Sequence, residues 1–226
     1  MAAGRKNIRI EQGATYLESF VYRENKQKVS FTAAPTTGTF TLRFLNYVTA
    51  AISFDATDAQ IQTALEQLPS IGGGNVTVAG SVGGPFIIEF TAMVERLAYN
   101  DALSGMHPLL IGVSSLEPLE AQVKVEYAPV DLTGASAEMH VRKNISDVAT
   151  LFDVSTSNGG IILGGTDGSI TVIINSTDTE ALDLWGDNQK RVQGVYDLEV
   201  LFPTSIKERL VEGKVDFVRE VTRDGP

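Results

Sequence analysis

The two ends of this 226-residue chain show one β pattern, and the long stretch between them follows another. Near the start, apolar and polar residues alternate around Ile8 and Ile10, which is typical of a half-buried strand. The same alternation returns in residues 137–142, far along the chain. We therefore predict that residues 1–29 and 129–226 form one discontinuous domain, interrupted by an insertion.

The discontinuous part carries closely spaced turn signals, such as Asn158-Gly159-Gly160. Short alternating strands separated by such turns predict a mainly β fold, an antiparallel β-sandwich or barrel. A short helix is expected with Thr177 as its N-cap and Glu180 completing a capping box. The last strand region is expected in two pieces on either side of Gly213.

Residues 30–128 predict a small α+β domain with the order β-β-α-β-β. Its helix should begin after Thr57, which forms a capping box with Gln60, and run to Leu68. The expected linkers to the other domain are Lys26–Val29 and Tyr127–Val130. The strands expected around the helix are Gly38–Phe44, Thr49–Phe54, Asn75–Ala79, Pro85–Thr91 and, returning to the first domain, Ala121–Tyr127.

Charge and hydropathy exclude several classes of partner. The net charge is −10 and the sequence pI is about 4.7, so the surface repels phosphate backbones and nucleic-acid binding is not expected. No apolar run reaches the about 18 residues of a membrane span, and the N-terminus has no secretory signal pattern. We expect neither a membrane partner nor export.

The side chains available for chemistry are few. Cysteine is absent and there are only two histidines, His107 and His140, which excludes thiolate catalysis and sites with several histidine or cysteine ligands. The glycine clusters match no phosphate-binding motif and read as β-turns. The acidic residues Asp178, Asp183 and Asp187 read as a solvated helix face. We predict no enzyme activity, no cofactor and no metal.

Candidate partner contacts come from two places in the sequence. Arg5, Lys6 and Arg9 form a basic N-terminal arm that could pair with acidic surfaces of a partner. The alternative is a solvated, unstructured terminus. Trp185, the single tryptophan, is expected in the core or at an interface.

Several segments of the discontinuous domain carry a common pattern: Ile10–Tyr16, Pro129–Ala135, Ala137–Arg142, Gly194–Glu199, Arg209–Val215 and Glu220–Arg223. Together these segments resemble a widespread virion protein of tailed bacteriophages. They are similar to the N-terminal domain of siphophage baseplate upper proteins, which attach receptor-binding parts to the tail.

The middle of the chain carries its own set of marked segments: Gly38–Phe44, Ala56–Leu68, Gly74–Val78 and Gly83–Pro85. Together these segments resemble a second phage-associated module, which occurs in phage structural proteins and implies no catalytic role. Baseplate-type domains usually have only a short hairpin where this chain carries the insertion.

The resemblance implies a non-enzymatic virion structural protein that is assembled in the host cytoplasm. It would be an adaptor or attachment component of the tail, neck or baseplate, bound to other phage structural proteins and present as a homo-oligomer in the particle. Two alternatives stay open: a decoration (cement) protein on the head exterior, and a receptor- or carbohydrate-binding module. Copy number per particle separates adaptor from cement.

Overall fold

A computed structural model describes residues 4–91, 108–184 and 190–220. These residues are mainly β, which confirms the predicted fold class. The α-helices of the described ranges are α1 (Asp58–Glu66) and α2 (Ser176–Glu180). The strands there are β1 (Gly4–Arg5), β2 (Ile8–Glu11), β3 (Tyr16–Val21), β4 (Arg23–Phe31), β5 (Thr37–Phe44), β6 (Tyr47–Val48), β7 (Ile52–Ser53), β8 (Val76–Gly80), β9 (Phe86–Phe90), β10 (Ile111–Glu117), β11 (Val123–Pro129), β12 (Ser136–Arg142), β13 (Phe152–Ser155), β14 (Ile161–Leu163), β15 (Ser169–Ile174), β16 (Arg191–Leu201) and β17 (Lys207–Val218).

The chain divides into two compact units, which we call the split unit and the inserted unit. The split unit comprises Met1–Tyr22 and Pro129–Pro226, and the inserted unit comprises Arg23–Ala128. The first boundary therefore lies after Tyr22, several residues before the predicted position at residue 29. The reason is β4, which begins at Arg23 and pairs with strands of the inserted unit.

The split unit packs two sheets around one core. Its six-stranded sheet has the order β1-β17-β16-β12-β13, with β2 also paired to β17, and its three-stranded sheet has the order β14-β15-β3. β1 and β2 run parallel to β17, whereas the other registered pairs of these sheets are antiparallel. Residues from both sheets are buried in this core, among them Met139, Leu198, Phe217, Ile170 and Val172. The predicted inward face of 137–142 is confirmed.

β17 is a single strand, so the expected break at Gly213 is wrong. Gly213 pairs with Tyr196 within the ladder. A Cβ on Gly213 would lie 1.9 Å from the backbone oxygen of Lys6. Glycine is therefore required here because another segment of backbone approaches closely, and not because the strand turns.

The second helix begins earlier than predicted. Its N-cap is Asn175, which makes no side-chain capping bond, and Thr177 lies inside the helix. The buried Thr179 hydroxyl donates to the backbone oxygens of Ala14 at 2.8 Å and Ser176 at 2.9 Å. The contact of Thr179 with Ala14, which is distant in sequence, fixes the position of the helix, and a local capping bond does not.

The inserted unit also has two sheets, of orders β11-β4-β9-β8 and β10-β5-β6, with β7 paired to β5. Helix α1 begins at the predicted capping box of Thr57 and Gln60, which is confirmed. Lys26–Val29 does not form a linker, because these residues pair with β9. Strands β4 and β10 extend the predicted β-β-α-β-β order.

A polar side chain is fully buried in the inserted unit. Gln27, on β4, has no exposed surface. Its amide nitrogen donates to the backbone oxygen of Pro108 at 2.7 Å, and its amide oxygen accepts from the backbone nitrogen of Leu110 at 2.8 Å. The side chain thereby fixes the backbone that leads into β10.

Candidate assembly surfaces

The described ranges contain no group of three or more His, Asp or Glu side chains placed to hold a metal ion. No helix among them has the length and apolar character needed to cross a membrane. His140 lies on β12, and its Nε2 is 3.7 Å from a carboxylate oxygen of Asp153. His107 lies outside the described residues.

The basic N-terminal residues lie at the edge of the six-stranded sheet. Arg5 Nε lies 3.6 Å from a carboxylate oxygen of Glu212, and Arg9 Nη2 lies 2.8 Å from a carboxylate oxygen of Glu11. The side chain of Arg5 is 88% exposed and that of Arg9 is 54% exposed. These residues belong to β1 and β2, so the alternative of an unstructured arm is wrong for them. Their guanidinium groups are accessible to a partner. The fourth predicted contact, Trp185, lies outside the described residues.

The side chain of Lys6 contacts different residues from those contacted by Arg5 and Arg9. Its Nζ lies 2.7 Å from Glu18 of β3 and 5.1 Å from the centre of the Phe20 ring. Its backbone oxygen accepts a 2.8 Å hydrogen bond from the hydroxyl of Tyr196. Burial, followed by the charge of Glu18, raises the pKa of Tyr196 to about 12. Lys6 thus links the N-terminal segment to both sheets of the split unit.

The outer face of the six-stranded sheet carries a network of ion pairs. Lys207 Nζ lies 2.5 Å from Glu138 and 2.6 Å from Glu199. Arg209 Nε lies 3.2 Å from a carboxylate oxygen of Asp197, and Arg209 Nη2 lies 3.3 Å from a carboxylate oxygen of Glu199. The hydrogen bond from Lys207 is the main cause that lowers the pKa of Glu199. This face, which was not predicted from the sequence, is polar, and these charged side chains form ion pairs with one another.

A shallow depression beside Lys207 is lined by Glu138, Ser155, Ser157 and Glu199. The hydrogen bonds to Glu138 and Glu199 raise the pKa of Lys207, so its amine stays protonated and cannot act as a base. The hydroxyls of Ser155 and Ser157 bond to each other at 2.8 Å.

The outer face of the three-stranded sheet has the opposite character. We call it the uncharged face and define it by the outward residues Leu17, Ser19, Val21, Ile162, Ser169, Thr171 and Ile173. Leu17 is 63% exposed, Val21 50% and Ile162 55%. At its centre, the hydroxyls of Ser19 and Thr171 lie 3.2 Å apart. This face was not predicted from the sequence.

The inserted unit also exposes apolar side chains on one sheet face. In that sheet, Arg43 of β5 is opposite Ile111 of β10 on one side and Val48 of β6 on the other. Ile111 and Val48 are exposed, as is Val113 further along β10. This face therefore combines aliphatic side chains with a guanidinium group.

The chain is similar in sequence to a phage tail protein. No protein-family model matches the chain. It is 28% identical over 156 residues to the tail sheath protein of Mycobacterium phage Bxz1, a match that covers 69% of this chain and 24% of that protein. The chain thus spans about a quarter of the length of this relative.

A solved structure from Mycobacterium phage Patience matches with a TM-score of 0.31 and 16% sequence identity, covering 70% of this chain and 56% of that one. A TM-score of 0.31 does not establish a shared fold. The similarity to the sheath protein supports a phage virion structural protein. That relative is a tail sheath protein, not a baseplate protein.

Proposed function

We propose that this chain is a non-enzymatic structural component of a phage tail. In this role it is an adaptor or attachment component of the tail, neck or baseplate, held there by protein–protein contacts. The observation that carries the proposal is the 28% identity over 156 residues to a phage tail sheath protein. The motif resemblance to baseplate upper proteins supports the attachment role.

The side chains of the split unit support a role in binding and not in catalysis. On the six-stranded sheet Lys207 and Arg209 both pair with Glu199, and the three-stranded sheet exposes aliphatic residues to solvent. Contiguous exposed apolar residues are typical of protein interaction sites. Such a unit can bury surface against neighbouring proteins without rearranging its core.

Arg5 and Arg9 are the proposed contacts with acidic partner surfaces, because their guanidinium groups are the exposed ones of the N-terminal strands. Lys6 contributes indirectly, since its ammonium group is held by Glu18. Trp185 is also a proposed contact. A particle that contains many copies of the chain would multiply a weak contact at each of these sites through avidity.

Immunogold electron microscopy of purified phage particles tests this proposal. An antibody raised against the purified chain should label the tail, the neck or the baseplate, and preincubation with soluble chain should abolish the labelling. Labelling confined to the head exterior would favour a decoration protein instead. An absence of gold from intact and disassembled particles would contradict a structural role in the virion.

A further inference from the structure

The connection between β12 and β13 exposes two aliphatic side chains almost completely. Ile145 is 88% exposed and Val148 is 96% exposed, the two highest values among the large apolar side chains of the described residues. We call this pair the apolar tip. The two residues lie three positions apart in one connection, so a partner that covers one is within reach of the other. Neighbouring apolar side chains that face water are typical of protein interaction sites.

Hydrogen bonds hold this connection in a defined shape. The backbone nitrogen of Asp147 donates to the backbone oxygen of Asn144 at 3.1 Å, which closes a β-turn with Ile145 at its second position. The backbone nitrogen and the side-chain amide of Asn144 both donate to one carboxylate oxygen of Asp147, at 2.9 and 3.1 Å. At the base of the connection, the backbone nitrogen of Leu151 donates to the backbone oxygen of Val141 at 2.7 Å. A tip that is already ordered loses little conformational entropy when a partner covers it.

Unpaired cations lie at the same end of the six-stranded sheet as the apolar tip. Arg142 is the last residue of β12, and Lys143 follows it directly. Across the sheet, Arg142 is opposite Val195 of β16, which in turn is opposite Lys214 of β17. Arg142 and Lys214 therefore share the outer face. Within the described ranges, the side chains of Arg142, Lys143 and Lys214 form no ion pair and no hydrogen bond.

The opposite end of the same face has its cations satisfied within the chain. There Lys207 and Arg209 are both held by Glu199. The chain as a whole is acidic, with a net charge of −10, so a group of cations without carboxylate partners is a local exception. Carboxylates on a partner protein would complement these cations, and an apolar pocket on the same partner would accept the tip.

We propose that the apolar tip and the three cations at its end of the sheet bind an apolar pocket bordered by carboxylates on another protein of the particle. This inference rests on the proposed function, because it names the kind of surface that the attachment component contacts. In protein interfaces, a few buried anchors within a polar rim carry most of the affinity. A lipid surface fits less well, because anionic lipids repel a chain of net charge −10 and two aliphatic side chains give little membrane affinity.

Competition for the particle tests the contact. When natural and variant chains are produced at equal levels during infection, Ile145→Ser should be recovered in purified particles about tenfold less than the natural chain. Ile206→Ser is the matched control, because Ile206 is 55% exposed in the connection between β16 and β17, at the opposite end of the sheet. This control should compete equally with the natural chain. Equal recovery of both variants, or an equal loss of both, would overturn the proposal.

Photochemical cross-linking identifies the occupant. A photoreactive phenylalanine analogue, introduced in place of Val148 by amber suppression during infection, should cross-link the tip to a different protein of the particle. Cross-links only to a second copy of this chain would overturn the proposal, as would flotation of the purified chain with phosphatidylglycerol vesicles that Ile145→Ser abolishes. If the chain is present in particles but forms no cross-link from position 148, this contact fails and the proposed function stands. A chain that is missing from particles contradicts both.

Discussion

The backbone oxygen of Tyr22 accepts a 3.0 Å hydrogen bond from the backbone nitrogen of Val130. The chain leaves the split unit after Tyr22 and returns to it at Pro129. The two ends of the interruption therefore meet within the split unit itself. An insertion is tolerated where its ends lie close together at such a site.

We predict that removal of residues 23–128 leaves a folded split unit. A short Gly-Ser turn should join Tyr22 to Pro129, because the hydrogen bond to Val130 already holds these backbones together. The expected result is a β-type circular dichroism spectrum with cooperative thermal unfolding. Residues 23–128 alone should also fold, since Arg23 Nη1 donates to the backbone oxygen of Tyr127 at 2.7 Å near their two ends. Noncooperative unfolding of the shortened chain would contradict the two-unit account.

Local patterns in the sequence predicted strand β12 and the start of helix α1. β12 was predicted because Ala137, Met139 and Val141 alternate with polar residues, and these three are buried. Helix α1 was predicted because Thr57 and Gln60 cap it by side-chain contacts within one turn. In both elements the determining interactions are local or strictly periodic, so they can be read without knowledge of the tertiary structure.

Other elements depend on contacts that are distant in sequence. β4 was missed because Arg23, Glu24, Lys26 and Lys28 give it no apolar alternation, and its pairing with β9 determines its conformation. β3 has apolar residues on both faces, so its register cannot be derived from the pattern. The structure turns Glu18 toward Lys6 and Tyr16, which places Leu17 in the uncharged face.

Replacing Gln27 by methionine should destabilise the inserted unit. The substitution keeps similar volume but leaves the oxygen of Pro108 and the nitrogen of Leu110 without their partner. Each unsatisfied buried group costs about 1–3 kcal/mol, so we expect the loss of both partners to lower the free energy of unfolding, measured with urea, by about 2–6 kcal/mol. Gln193→Met on the exposed surface of β16 is the control and should change it by less than about 0.5 kcal/mol. Equal effects of the two changes would contradict the role of Gln27.

Alkaline pH should destabilise the split unit through Tyr196. Its pKa rises from 10.0 to about 12, mainly because of burial, and burial also raises the pKa of Tyr16. A raised pKa gives stability that is complete below the unfolded value of about 10 and is lost as pH rises through the folded value. Unfolding free energy should therefore fall between pH 10 and about 12. Tyrosine absorbance near 295 nm should show delayed ionisation relative to the urea-unfolded chain, and identical titration curves would contradict this prediction.

The pairing of Glu199 with Lys207 should contribute a small, acid-sensitive stability. The pKa of Glu199 is lowered mainly by the hydrogen bond from Lys207. A lowered pKa gives stability that is present above the unfolded value of about 4.3 and is lost as pH falls through the folded value. A double-mutant cycle of Glu199→Gln and Lys207→Met should give a coupling free energy of up to about 1 kcal/mol at neutral pH. The coupling should vanish in strong acid, and a coupling that persists there would show that charge is not its source.

Quantitative mass spectrometry of tails separated from heads tests the proposal that this chain is a structural component of a phage tail. Particles should be disrupted gently and the two parts resolved by density-gradient centrifugation. We expect the chain to be recovered in the tail fraction at a fixed ratio to other tail proteins. Recovery with the heads alone, or absence from both fractions, would show that the chain is not a tail component.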